Sequence, residues 1–108
     1  MKKNKVTWSS GNVFADLGLP RAEEKYTKVR LAVAVNQINR ERRLSQTAAA
    51  RLLGVSQPEV SALANYQLEG FSVERLMHFL NALGRDVEIV VRGKSRSRKA
   101  GRILVTAA

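Results

Sequence analysis

The stretch at residues 51–63, RLLGVSQPEVSAL, sets one glycine between two short apolar-periodic runs and a proline four residues after it. No other feature restricts the fold as much. Ala49, Leu52 and Leu53 recur at helical spacing before the glycine and are expected to point inward, and Val60 and Leu63 recur after it. Gly54 supplies a left-handed turn residue to close a helix over 46–53, for which Ser45 is the N-cap. Ser56 caps the next helix, and Glu59 three residues later completes a capping box. Pro58 falls in the first turn, where its missing N–H breaks no helical bond. Two helices joined by so tight a turn cross steeply, which leaves the second free to project from the surface.

The flanking sequence supplies the scaffold. Pro20 opens a helix at the position proline prefers, with Glu23 and Glu24 in the first turn, and the pattern runs without glycine or proline to about Arg42. Tyr26, Val29 and Val33 recur at helical spacing, as do Leu31, Val35 and Ile38, so this helix is apolar on more than one side. At about 1.5 Å per residue it is roughly 30 Å long, more than a small domain needs for its own core. Part of it is therefore expected to face a second chain. Ser72 caps a further helix over 73–83, with Val73, Leu76, Met77, Leu80 and Leu83 as its core stripe and Gly84 as its stop. The period then changes to two: Val87, Ile89 and Val91 fall on one face of an expected strand over 86–92, and residues 101–107, GRILVTA, read as another. Residues 1–19, with Trp8, Val13, Phe14, Leu17 and Leu19, read as an arm that packs on something. The expected organisation is an arm over 1–19, a helical domain over 20–85, and a β element with a basic loop over 86–108.

Charge points to the partner. Nineteen basic residues against nine acidic give +10, an argument about partners and not about fold. Residues 92–102 hold six basic side chains and no acidic one, and without them the rest of the chain carries +4. A polyanion is favoured, nucleic acid first and an anionic membrane surface second; the plainer alternative is a solubilising surface. Cysteine is absent, which removes disulfides and thiolate sites and suits a reducing cytoplasm. No apolar run approaches the roughly 18 residues of a membrane span. One histidine, His78, makes no metal constellation and reads as packed or exposed on its helix. Glu23 and Glu24 are adjacent and point apart, so they form no acid–base pair. Enzyme is the weakest class, and no cofactor is expected.

Helix 46–53, turn 54–56 and helix 57–65 have the proportions of a helix-turn-helix. The second helix carries Gln57, Pro58, Ser61, Ala62 and Asn65 on its outward side, small and polar residues suited to a major groove. Glutamine can bond adenine N6 and N7 together, and glutamate can accept from cytosine N4. The alternative is a plain helical hairpin with a solvated face.

The segment LSQTAAARLLGVSQPEVSAL, residues 44–63, resembles the helix-turn-helix of the Xre/Cro-like transcriptional regulators. More narrowly, SSGNVFADLGLPRAEE, GFSVERLMHFLNALG and DVEIVVR are similar to the HigA-like antitoxins of toxin–antitoxin operons. The resemblance implies a mainly α, Cro/lambda-repressor-like bundle, here with a small C-terminal β element. It also implies homodimers that repress transcription on an operator. Antitoxin members in addition bind a RelE-like ribonuclease toxin. By position, Gln46 resembles the residue that touches phosphate and supports the reading helix. Gln57 resembles the main base-reading residue, with Pro58, Ser61 and Ala62 at the other base-facing positions.

The expected reading helix has no lysine or arginine. Direct readout is then sparse, with specificity drawn partly from DNA shape. Phosphate neutralisation falls to Arg40, Arg42, Arg43, Arg51 and to Lys94, Arg96, Arg98 and Lys99 of the basic arm. The edge of strand 86–92 needs a partner, and a two-fold mate pairing through Val87, Ile89 and Val91 would supply one. A hairpin on its own chain, the long helix or the N-terminal arm are the alternatives.

Overall fold

The fold was analysed in a computed structural model, which describes residues 21–107. The expectations for the arm over 1–19, for Pro20 and for the last residue lie outside the described residues. Four helices follow one another: α1 Arg21–Glu41, α2 Gln46–Leu53, α3 Gln57–Ala64 and α4 Val73–Ala82.

The helix starts follow the side-chain caps. Ser45 Oγ accepts from the Ala48 N–H at 3.1 Å and Ser72 Oγ from the Arg75 N–H at 3.0 Å. At Ser56 the capping box is complete: its Oγ accepts from the Glu59 N–H at 3.3 Å, and Glu59 Oε1 accepts from the Ser56 N–H at 3.1 Å. All four helices end in the same left-handed turn, in which a backbone N–H reaches back to a carbonyl five residues earlier. The donors are Leu44, Val55, Gln67 and Arg85, bonded to the carbonyls of Asn39, Ala50, Ala62 and Leu80 at 2.9–3.0 Å. The left-handed residue is Gly54 after α2 and Gly84 after α4, but Arg43 (φ 53) after α1 and Tyr66 (φ 57) after α3.

The main core lies where α1 packs across α4 and α3. Leu31, Ala32, Val35 and Ile38 of α1 meet Leu53, Leu63, Leu68 and Phe71, and Val73, Leu76, Phe79, Leu80 and Leu83 of α4 and its end. Leu63, Leu76 and Val35 are its largest fully enclosed side chains. A second, smaller cluster of Ala49, Ala50 and Val60 joins α2 to α3, and small side chains there let the two helices approach closely. Two polar ties add direction: Asn36 Nδ2 donates to the Leu63 carbonyl at 3.1 Å, and an Arg42 guanidinium N–H to the Leu83 carbonyl at 3.4 Å. Three details depart from the sequence reading. Leu52 is exposed while Ala50 is buried, Met77 is only half-buried, and Phe79 takes the core position instead. The second apolar stripe of α1 stays at the surface, with Tyr26, Val29 and Val33 exposed.

The C-terminal β element does not form within the chain: among the described residues there is no strand over 86–92 or 101–107. The physical reason is pairing. A strand needs a ladder partner, and the second segment is engaged elsewhere. The Ile103 N–H donates to Glu23 Oε1 of α1 at 2.6 Å, and Arg30 of α1 donates to the Val105 carbonyl at 3.4 Å. Ile103 and Val105 rest on the core while Leu104 between them is exposed, so the alternation expected of a strand is used against a helix. In the first segment Val87 packs on the core, whereas Ile89, Val90 and Val91 are 70%, 65% and 88% exposed.

Candidate nucleic-acid interface

The small cluster Ala49, Ala50 and Val60 seats α3 on α2, and Leu63 anchors its far end in the main core. With Val60 and Leu63 turned inward, Gln57 and Pro58 are exposed and Ser61 and Ala62 half-buried. Asn65, exposed at the end of the helix, turns its amide back to the Ser61 carbonyl at 2.9 Å. Gln57 does not hang free: its Nε2 donates to Thr47 Oγ1 of α2 at 3.2 Å. Gln46 and Thr47 thus stand at the start of α2 beside the start of α3, and both are exposed. This is a surface of amides, hydroxyls and small apolar groups carried on a rigid helix pair.

The position of α3 is fixed from its other side by Arg75 of α4. Its guanidinium donates to Glu59 Oε2 at 2.7 Å and to the Gly70 carbonyl at 3.4 Å. It also lies 5.0 Å from the ring centre of Phe71 and 5.4 Å from that of Phe79, two rings packed edge to face. Cation–π attraction holds the planar guanidinium in place, and its fork suits a carboxylate better than a lysine would. The hydrogen bond from Arg75, followed by that from the Ser56 N–H, keeps the Glu59 carboxyl below its ordinary pKa. Glu59 therefore stays ionised, and its carboxylate is engaged in holding α3 in place.

Known proteins share this fold. The pattern of a helix-turn-helix domain family matches residues 13–92. A solved chain titled "Putative XRE Family Transcriptional Regulator" is 65% identical, superposes with a TM-score of 0.79, and is matched over 82% of this chain and 100% of its own. No curated protein matches. The chain belongs to the XRE family of helix-turn-helix transcriptional regulators. It is a DNA-binding regulator, and α2 and α3 are its motif.

For an XRE regulator the remaining question is where the cations lie. Arg40, Arg42 and Arg43 sit at the end of α1 and in the turn that enters α2, Arg51 lies on α2, and all four are exposed. Arg42 is partly committed to the Leu83 carbonyl. Lys94, Arg96 and Lys99 are exposed and Arg98 half-buried, in a segment that holds a turn from the Arg98 N–H to the Ser95 carbonyl. His78 is on the surface, 3.7 Å from Glu74. Among the described residues no helix is long and apolar enough to cross a membrane.

Two residues of the interface escape a reading of the sequence. Thr47 gives no signal, because its partner Gln57 is ten positions away across a turn. Arg75 gives no more: Phe79 stands four positions after it on α4, but Phe71 and Glu59, its other partners, lie outside that helix.

Proposed function

We propose that this XRE regulator is a homodimeric repressor that reads a specific operator through α3. The carrying observation is the surface of α3, where Thr47 holds Gln57 at the start and Val60 and Leu63, not the outward strip, fill the interior. Gln57 is the principal base reader, with Pro58, Ser61 and Ala62 beside it. Gln46, Arg40, Arg42, Arg43 and Arg51 contact phosphates around the motif, and Lys94, Arg96, Arg98 and Lys99 extend that contact along the backbone. A bidentate pairing to adenine is worth about 1–3 kcal/mol of discrimination. Gln57→Ala should therefore weaken binding to the operator by that amount and leave binding to random DNA nearly unchanged, as measured by titration on both. Equal losses on both duplexes would remove Gln57 from the reading role.

Dimerisation follows from size. Specific protein–DNA interfaces bury about 1,000–2,500 Å², and a single small module reaches only the low end. The exposed apolar run Ile89, Val90, Val91 supports self-association, since exposed consecutive apolar residues are a template for a second chain. Pairing there between two copies would supply the ladder that one copy does not form, with Val87, Ile89 and Val91 along it. Ile89→Pro removes one donor from such a ladder. Sedimentation should then report a monomer, and half-site spacing, about 34 Å in a dimer, should cease to matter. A variant that stays fully dimeric moves the interface to the long helix α1 or to the N-terminal arm.

A second reading is compatible with the first: a HigA-like antitoxin that binds a RelE-like toxin and represses its own operon. The exposed Tyr26, Val29 and Val33 on α1 favour it, because that apolar stripe lies outside both the core and the α3 surface. Co-purification with a small RelE-like protein encoded next to the gene tests it.

A further inference from the structure

The exposed apolar stripe of α1 runs between two faces that are already packed. At 3.6 residues per turn, Val29, Val33 and Tyr26 follow one another around the helix within about 60°. Lys25 borders this stripe on one edge and Arg30 on the other, and both are exposed. On the Arg30 side, residues 103–105 lie on α1 through Glu23 and Arg30. On the Lys25 side, Asn36 ties α1 to the end of α3 at the Leu63 carbonyl. The uncovered apolar surface is therefore a narrow strip with a cation at each margin, wide enough for a single chain segment.

We propose that the chain's own N-terminal arm occupies this strip, with Phe14 and Leu17 laid on Tyr26, Val29 and Val33. The arm ends at Pro20, directly before the first residue of α1. A proline disfavours helical backbone in the residue before it, so α1 is not expected to continue back through Leu19. Reach then matches position. Leu17 lies three residues before Pro20 and Tyr26 six after it; Phe14 lies six before and Val33 thirteen after. An extended chain covers about 3.3 Å per residue and a helix about 1.5 Å, so an arm folded back on α1 brings each pair level, at about 10 and 20 Å. Charge matches as well, because Asp16 is the arm's one acidic residue and falls between Phe14 and Leu17, where Lys25 and Arg30 flank the strip. A toxin or a second copy that takes the strip must displace the arm, which makes the arm an intramolecular competitor for that face.

The experiment uses the full chain, isotope-labelled for NMR, without DNA or any partner. Nuclear Overhauser contacts are expected from the Phe14 ring to the Val29 and Val33 methyls, and from the Leu17 methyls to the Tyr26 ring. A sample that mixes labelled with unlabelled chains separates contacts within one chain from contacts between copies. The second measurement is limited chymotryptic cleavage after Phe14, followed by mass spectrometry. Val33 is exposed beside the core and not part of it, so Val33→Asp leaves the bundle folded. That variant should speed the cleavage by about tenfold, the equivalent of roughly two methylenes no longer buried, because proteolysis follows the population of the open form. An absence of contacts between arm and strip overturns the inference. Contacts found only between different chains also overturn it and assign the strip to a second copy. So does a cleavage rate that Val33→Asp leaves unchanged. None of these outcomes touches the reading of an operator by α3, which is tested separately on DNA.

Discussion

The helical bundle over 21–84 and the tail over 85–107 are both written in clear apolar patterns, yet only the first folded as its pattern directs. A helix satisfies most of its backbone polar groups within itself, so Ser45, Ser56 and Ser72 at the starts and Gly54 and Gly84 after the ends decide its bounds locally. A strand satisfies its groups only against another chain segment, so the same clarity of pattern over 86–92 determines nothing until the partner is known. The tail shows the consequence. Its last segment lies on α1 through Glu23 and Arg30, while the segment before it leaves Ile89, Val90 and Val91 in solvent.

The difference should be largest in stability. Leu76 is fully enclosed where α1 crosses α4, so Leu76→Ala combines reduced burial with a cavity and should cost about 2–5 kcal/mol. Val91, 88% exposed in one copy, should change stability by less than about 0.5 kcal/mol when replaced by alanine. Urea denaturation of both variants at micromolar concentration measures this. A destabilisation by Val91→Ala that grows with protein concentration would overturn the contrast, because it would place the tail inside a dimer and not outside the fold.

What could be read from the sequence follows the same division. The four helices, the caps at Ser45, Ser56, Ser72, Gly54 and Gly84, the core residues Leu31, Val35, Ile38, Val60, Leu63 and Leu76, and the position of Gln57 at the head of α3 all follow from patterns within a few residues. The Gln57–Thr47 bond, the Arg75–Glu59 latch and the seat of residues 103–105 on α1 join positions ten, sixteen and eighty apart, and no local pattern encodes such pairs. The site was legible as a surface and illegible as a supported surface. Its outward residues are named by the motif, but what holds them is tertiary.

On DNA the two regions should separate again, in charge and in selectivity. If the tail contributes only charge, replacing Lys94, Arg96, Arg98 and Lys99 with glutamine should flatten the salt dependence of log K by about 0.9 for each phosphate that is no longer neutralised. Four such phosphates correspond to about a hundredfold or more between roughly 50 and 200 mM salt. The order of preference among operator variants should survive, since phosphate contacts carry no base information. An unchanged slope would show that these residues keep the chain soluble and never reach the backbone. A changed sequence preference would mean that the tail enters a groove beside α3 and shares in the reading.

The smallest effect tests the local rule that made the bundle legible. Glycine follows α2 and α4 in the left-handed turn, but Arg43 precedes the motif and Tyr66 follows it in the same conformation. A side chain there costs about 1–2 kcal/mol relative to right-handed backbone. Glycine removes that cost but gives back part of it, about 0.5–1 kcal/mol, through a more disordered unfolded chain. Tyr66→Gly should therefore raise the unfolding free energy by about 0.5–1 kcal/mol in denaturant. Arg43 is less suited to this test, because its replacement also removes a cation beside α2. Positions that break a local rule tend to be those where function has a claim, and Tyr66 closely follows α3, the second helix of the motif. The gain in stability should accordingly come with weaker operator binding. A variant that is no more stable would mean that the covered part of the Tyr66 ring, 42% exposed, already offsets the strained turn through packing.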